Sequence, residues 1–428
     1  MQHDAINIDL TSEIGAIQAV MVHQPGQEIE NMTPADASEV LYDDIISLPL
    51  ARKEHQQLTG VLNKVTQVLN FTHLLAEVLD IDEVRQRLLK EVVHLYNCAE
   101  LYAELYAAPS VQLTKQLLEG TAMRKDTLEK FLSPLHHVIP PLPNTFFTRD
   151  ATMCLHDRVV IGSMAYRVRL LESMLLKAVF KYHPRIQSQG FYFDGTQSSP
   201  ADQALIETDN PITIEGGDLL VVRDDLVLIG YSERTTASAI DRLTQAIAAQ
   251  GRAKDFIVLE IPKKRASIHL DMIFTMLDRD KCMIFPPLIT GSEQSRAFHL
   301  SYGSHQRAKI REYPGLLPAL QDQGLDLEPI ACGGNNVFHQ EREQWNSGAN
   351  FFALAPGHVI GYRHNIHTVD ALSRSGFEVI EALDIINDKA CLTVGKPAVV
   401  VIDGTELSRG GGGCRCMTMP LNRSTIDW

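Results

Sequence analysis

The sequence of 428 residues has no uninterrupted apolar run near the roughly 20 residues needed to span a bilayer, so a membrane-spanning helix is not expected. Its first residues, Met1-Gln2-His3-Asp4, carry neither a basic segment nor an apolar one, so no secretory leader is expected and a reducing cytoplasm is the expected setting. Cysteine is scarce and odd in number. The seven (Cys98, Cys154, Cys282, Cys332, Cys391, Cys414 and Cys416) are scattered without the spacing of a disulfide framework. Positive charge is the minority sign, with 39 Lys and Arg against 53 Asp and Glu. The net charge of −14 argues against nucleic acid or an anionic membrane surface as a partner and would suit a cationic substrate. No phosphate-loop pattern occurs. The glycine run Gly410 to Gly413 lies at the end of the chain, without a βαβ unit or a following acidic residue to make a dinucleotide fingerprint.

What is present centres on the last twenty residues, where Arg409 and four glycines lead into Cys414, Arg415, Cys416, Met417, Thr418, Met419 and Pro420. Four glycines let a loop bend tightly and bring its amides close to a ligand. A thiol beside an arginine is a candidate nucleophile, because the cation favours the thiolate; a buried cysteine that packs as a small apolar residue is the alternative.

Upstream, residues 14–23 read as a buried strand and the apolar spacing from Ala51 to Leu69 is helical. From 72 to 135 Leu, Glu, Lys and Arg dominate at helical spacing, with Val84, Leu88, Leu89, Val92 and Leu95 on one face, which predicts a helical bundle inserted between 1–71 and 136–428. Pro140-Pro141-Leu142-Pro143 closes that block, and an α/β texture of strand, turn and helix follows. Acidic or glycine-bearing motifs recur near 150, 215, 270, 334 and 411, a spacing of roughly 55 to 75 residues that points to pseudo-symmetric α/β modules more than to one doubly wound sheet.

Three of these motifs put charge beside apolar strands: Asn144-Thr145-Phe146-Phe147-Thr148-Arg149-Asp150, Glu215-Gly216-Gly217-Asp218 and His269-Leu270-Asp271. A carboxylate at a strand end is often only a turn or cap residue. Together Asp150, Glu215 and Asp271 would hold a planar cation by paired hydrogen bonds, and guanidinium has the fork that matches carboxylates. His269 and Asp271 are also a possible metal pair, but no His-x3-His or Cys-x2-Cys spacing accompanies them, and no metal is expected.

In order and combination these motifs resemble the arginine deiminases, within the guanidino-group-modifying superfamily. The resemblance runs through nearly the whole chain. It includes Leu41-Tyr42-Asp43-Asp44-Ile45 with Lys53-Glu54-His55, the three motifs above, Arg342-Glu343-Gln344-Trp345-Asn346 with Asn350, and Cys416-Met417-Thr418-Met419-Pro420. It implies a five-fold pseudo-symmetric α/β propeller with an inserted helical bundle, hydrolysis of L-arginine or a close guanidino analogue, no metal or organic cofactor, and a homo-oligomer. By the same resemblance Cys416 is the nucleophile, Asp150 and Asp271 clamp the guanidinium with Glu215 beside them, and His269 is the acid and base. Asn144, Phe147, Arg169 and Arg234 contact the substrate, the two arginines at its carboxylate. Two positions depart from the family pattern. Gly411 stands where some members carry an arginine, and His364 in Tyr362-Arg363-His364-Asn365 stands where an arginine is usual. A dihydrolase that continues to ornithine, an amidinotransferase and a non-catalytic arginine-binding protein are the competing expectations.

Overall fold

Runs such as Val159-Val160-Ile161 and Leu226-Val227-Leu228-Ile229 are apolar without alternation, which suits strands covered on both faces. In the computed structural model, which describes residues 5–32, 42, 44–196, 211–303 and 307–428, these runs are the central strands of sheets with one recurring plan. Thr152–Leu155 and Arg158–Ile161 form an antiparallel hairpin, helix Leu170–Tyr182 crosses over, and Phe191–Asp194 returns parallel to the second strand. A parallel return needs a crossover of about a dozen residues or more, which the helix supplies. Leu219–Arg223, Leu226–Tyr231, helix Ala237–Ala249 and Asp255–Glu260 repeat the plan, with Ala297–Tyr302 and Ala308–Tyr313 added antiparallel at the far edge.

The third unit pairs Phe274–Met276 with Lys281–Ile284 and adds Glu328–Ala331 in parallel. In the fourth, Phe352–Ala355 pairs with His358–Tyr362, and Ala398–Ile402 lies parallel to the latter with Glu378–Glu381 outside it. The fifth joins the two ends of the chain: Met419–Arg423 is antiparallel to Ile17–Val22, and Gln67–Asn70 is parallel to it after helix Leu48–Val65.

Two sequence expectations need correction. The helix expected over Ala51 to Leu69 stops at Val65, and Gln67–Asn70 is a strand. Val65, Thr66 and Val68 are β-branched, and pairing with Ile17–Val22 decides their conformation over the helical spacing. The motif near 334 is not the fourth recurrence either. Gly333 and Gly334, with φ of 71° and 66°, form the turn between Glu328–Ala331 and helix Val337–Trp345. The fourth hairpin is instead preceded by Asn350.

Between Asn70 and Pro140 the chain is mainly helical: Phe71–Leu79, Asp82–Leu95, Tyr102–Ala107, Ser110–Leu118 and Leu128–Leu132, with a short pairing of Thr121–Ala122 and His137–Ile139. Val84, Leu88, Leu89 and Val92 are buried and Leu95 partly so. Their apolar interior is continuous with Val159, Leu175 and Val227 of the first two hairpin units. Leu41 and Asp43 of the N-terminal motif lie outside the described residues; Tyr42 is buried and donates to the Pro143 carbonyl at 2.6 Å.

The plan places chemistry at one kind of position. Asp150, Asp218, Asp271, Asn350 and Cys416 each lie just before the first-named strand of an antiparallel pair, the strands that begin at Thr152, Leu219, Phe274, Phe352 and Met419 respectively.

Candidate active site

These pre-strand segments are short turns, so their side chains are aimed by backbone that is hydrogen-bonded on both sides. Arg149 N donates to the Cys416 carbonyl at 3.1 Å, and Gly216 N donates to the Asp150 carbonyl at 2.9 Å. Gly217 is explained by close approach: a methyl group there would lie 2.5 Å from the His269 ring. At the C-terminal loop, Gly411 has φ of 85°, and a methyl at Gly412 would lie 2.4 Å from the Phe147 ring. Glu54 holds the approach to this loop, accepting from Thr405 Oγ1 at 3.0 Å, Glu406 N at 3.0 Å and Leu407 N at 2.9 Å. Tyr362 donates to the Gly412 carbonyl at 3.0 Å with its ring stacked on His364.

A cavity of about 50 Å³ opens between the turns. Asn144, Phe147, Asp150, Arg169, Arg234, His269 and Cys416 all line it, while Glu215 and Asp271 are fully buried behind it. Trp345, present in the sequence only as part of the Arg342–Asn346 motif, lines it too, as do Arg265 and Met272, which belong to no motif. Their residue types carry no site signal by themselves.

The electrostatics divide into two linked networks. In the first, His269 Nε2 lies 3.0 Å from Glu215 Oε2, and Glu215 Oε1 accepts from Ala165 N at 3.0 Å. Arg234 and Arg169 approach the same carboxylate at 3.5 and 3.8 Å. Burial alone would push the imidazole down, but the hydrogen bond to Glu215 and the charges of Asp150, Asp218 and Glu215 outweigh it and hold His269 at about 9. Glu215 is the complement. Burial raises it, while the His269 hydrogen bond and the charges of Arg234, His269 and Arg169 bring it down to about 2. His269 is therefore an imidazolium at neutral pH. Asp218 buttresses the arrangement, accepting from Ser232 Oγ at 2.6 Å and from Leu270 N at 2.9 Å.

In the second network Asp271 Oδ2 accepts from Arg415 Nη1 at 2.9 Å and lies 3.7 Å from Cys416 Sγ. Arg415 is in turn gripped by Glu13 through Nε at 3.0 Å and Nη2 at 3.1 Å. Asp150 is treated alike. Its Oδ2 accepts from Arg169 Nη1 at 2.9 Å, and Arg169 is held by Glu172. Each aspartate is thus fixed through one oxygen, and Oδ1 of both is buried without a hydrogen-bond partner in the protein. Burial and the charges of Asp271 and Asp150 raise the Cys416 thiol well above its ordinary range, against the opposing influence of Arg415. Cys414 is buried in the apolar interior.

Ligand atoms of Asp150, Glu215 and His269 come within 4.8 Å of one another, a spacing a divalent cation could use. The charge state opposes it: His269 Nε2 is engaged with Glu215 and protonated, and two guanidinium groups already approach the carboxylates. The site fits an organic cation better, since Asp150 and Asp271 are buried carboxylates with open oxygens that can each take N–H bonds from a planar fork.

Three comparisons give this geometry a context. The family model for arginine deiminase matches residues 38–423. The arginine deiminase of Bacillus cereus is 35% identical over 98% of this chain and 99% of its own, and that of Mycoplasma capricolum is 32% identical over 98% of each. Among solved structures, SxtG, an amidinotransferase from Microseira wollei in the saxitoxin biosynthetic pathway, superposes with a TM-score of 0.53 at 14% identity over 98% of both chains. AgrE in a ternary complex with ornithine and NAD+ gives 0.51 at 14% identity, and this chain spans only 40% of that one. At such identities the structural likeness speaks for the mixed α/β fold alone, and the sequence relationships carry the rest. With the match covering residues 38–423 and whole-length relatives above 30% identity, the chain belongs to the arginine deiminase family.

Proposed function

We propose that the chain hydrolyses the guanidino group of free L-arginine to L-citrulline and ammonia, with Cys416 as a covalent nucleophile. The observation that carries this reading is the pair of buried aspartates beside Cys416, each anchored by a protein arginine and each with one open oxygen. The substrate cation, held between Asp150 and Asp271, offsets the charges that keep the thiol protonated, so its arrival favours the thiolate, with the thiol proton released to solvent. The thiolate attacks the guanidinium carbon to give a neutral tetrahedral adduct. Imidazolium His269 then protonates one amino group, and ammonia leaves with the C–N bonding pair. The S-alkylthiouronium cation remains. Neutral His269 next takes a proton from water as the oxygen adds to carbon. The C–S bond breaks with its pair returning to sulfur, and the protonated urea product sheds its proton to solvent. Asn144, Phe147, Arg169 and Arg234 are the groups of this reading that contact the rest of the substrate. Arg234, stacked on Tyr166 with Nε unpartnered, is the more available carboxylate ligand, because Arg169 is shared between Asp150 and Glu172.

The finer architecture belongs to the same reading. A pseudo-five-fold α/β propeller is supported by the repeated hairpin-and-parallel-return plan and by a sheet built from both ends of the chain. Residues 72–135 as an insertion into 1–71 and 136–428 are supported by the helices that separate Gln67–Asn70 from the Thr152–Leu155 hairpin. A cytoplasmic homo-oligomer is part of the same reading, supported by the family likeness; among the described residues no helix is long and apolar enough to cross a membrane.

The deciding experiment is the product profile on L-arginine. Citrulline and ammonia in equal amounts are expected. Ornithine with additional ammonia would move the assignment to a dihydrolase, and transfer to an added amine would move it to an amidinotransferase. The electrostatics add a pH test. His269 must start protonated, so kcat/KM should fall as pH rises through about 9. Glu215→Gln removes the partner that raises His269, so that alkaline limb should move toward neutrality and kcat should drop by roughly 10²-fold or more, as for the loss of general acid catalysis. A pH profile of kcat/KM with an unmoved alkaline limb would separate that limb from His269.

A further inference from the structure

Four of the five pre-strand segments supply Asp150, Glu215, His269 with Asp271, and Cys416 to the reading just given; the fifth supplies Asn350. We propose that Asn350 is a further catalytic residue, whose side-chain amide donates a hydrogen bond to the Cys416 sulfur and stabilises it as a thiolate. The inference rests on the covalent reading of Cys416, and its geometry is specific. Asn350 Nδ2 is 3.3 Å from Cys416 Sγ and donates at 3.1 Å to the Asp271 carbonyl, while Oδ1 accepts from Arg415 N at 2.9 Å and Cys416 N at 3.4 Å. These four contacts fix which end of the amide is which. Reversal would set Oδ1 against a carbonyl and the sulfur, and the NH2 group against two backbone N–H groups. The residue is 1% exposed, so the bond to sulfur forms without water.

The neighbouring glycine is part of the device. A methyl group at Gly413 would lie 2.6 Å from Asn350 Oδ1, so the last glycine before Cys414 leaves room for the amide. A thiolate facing Asp150 and Asp271 needs a hydrogen-bond donor, and an amide supplies one without adding a proton that titrates. As the S–C bond forms, the sulfur lone pair becomes the bonding pair and the hydrogen bond from the Asn350 amide weakens. When the C–S bond of the second tetrahedral adduct breaks, that pair returns to sulfur and the amide receives the restored charge. The donor therefore serves both the nucleophile before attack and the leaving group after it.

The test uses alkylation of Cys416 by iodoacetamide, followed by peptide mass analysis across pH, which requires no guanidino substrate. Asn350→Asp, which turns the donor into an acceptor with charge, should shift the alkylation profile to higher pH by about one unit or more. Asn350→Ala, which only deletes the donor, should shift it in the same direction by less. In both, kcat for citrulline should fall by roughly 10² to 10³, as when one donor to a developing anion is removed, with KM changed only a few-fold. Folding is checked by circular dichroism. An alkylation profile identical to wild type in folded variants would overturn the proposal even if kcat fell, since a purely structural role does not move the ionisation of sulfur. Loss of fold in both variants would overturn it too, by making the amide a structural element. A wild-type protein that makes no citrulline would sink the proposed reaction, while the alkylation profiles would still decide the bond between amide and sulfur.

Discussion

Cys416→Ala is expected to abolish citrulline formation, with kcat reduced by at least about 10⁴, while the protein remains folded and binds arginine. The size follows from the chemistry. Without a nucleophile, water would have to attack a resonance-stabilised cation directly, and His269, an imidazolium at neutral pH, is charged to give a proton and not to take one. Binding should survive because the proposed partners of the cation are Asp150 and Asp271, and neither depends on sulfur for its position: Arg169 and Arg415 hold them. Calorimetric titration with L-arginine on the variant separates the two effects. Cys414→Ala is the control. Cys414 is two residues away and packs among apolar side chains, so its loss should lower the melting temperature modestly and leave product formation in place. Activity retained in Cys416→Ala and lost in Cys414→Ala would reassign the nucleophile.

The difference between these two cysteines shows how far the sequence can be read. Motif position separates them; composition does not, since both are followed by Arg or Met and both are buried. The strands were legible because their apolar runs are continuous, and the pre-strand motifs because charge there interrupts such runs. The boundary near Val65 was not, since helical spacing and β-branched residues coincide there and only the partner strand decides. The fourth module's contribution was legible only as a motif: Asn350 belongs to the resemblance through Arg342 to Asn346, but two glycines at a turn mimicked the recurrence, and an uncharged side chain announces no role. The widest gap concerns the partners of the two aspartates. Glu13 and Arg415 lie 402 residues apart in the chain, and no local pattern announces that they meet beneath Asp271. A single sequence displays which groups carry charge, but the half-occupied state of each carboxylate exists only once the chain ends share a sheet.

Asp271→Asn should therefore do two things that pull apart. Turnover of arginine should collapse, with kcat/KM lower by about 10³, equivalent to about 4 kcal/mol at 1.36 kcal/mol per tenfold, because one of two anionic partners of the guanidinium is gone. Yet the Cys416 thiol should become easier to ionise. Asp271 lies 3.7 Å from the sulfur, and after burial its charge is the largest influence holding that thiol up, so removing it lowers the pH at which iodoacetamide reacts. The direction is opposite to that expected for Asn350→Asp, although both variants lose activity. Stability gives the third reading. Arg415 keeps its bidentate contact with Glu13 and its bond to the Leu219 carbonyl at 2.8 Å, so the buried guanidinium is not stranded. The cost of losing its second carboxylate should stay near 1.5–3 kcal/mol, the worth of one hydrogen bond to a charged group, below the roughly 3–5 kcal/mol of a fully broken buried pair. Denaturant unfolding measures it. A thiol that alkylates more readily in a folded enzyme that no longer turns over arginine would show that Asp271 is placed for the substrate cation at the expense of the nucleophile. A thiol profile unmoved by the substitution would mean that Arg415 already cancels the Asp271 charge at the sulfur, and that binding of the guanidinium is not what frees the thiolate.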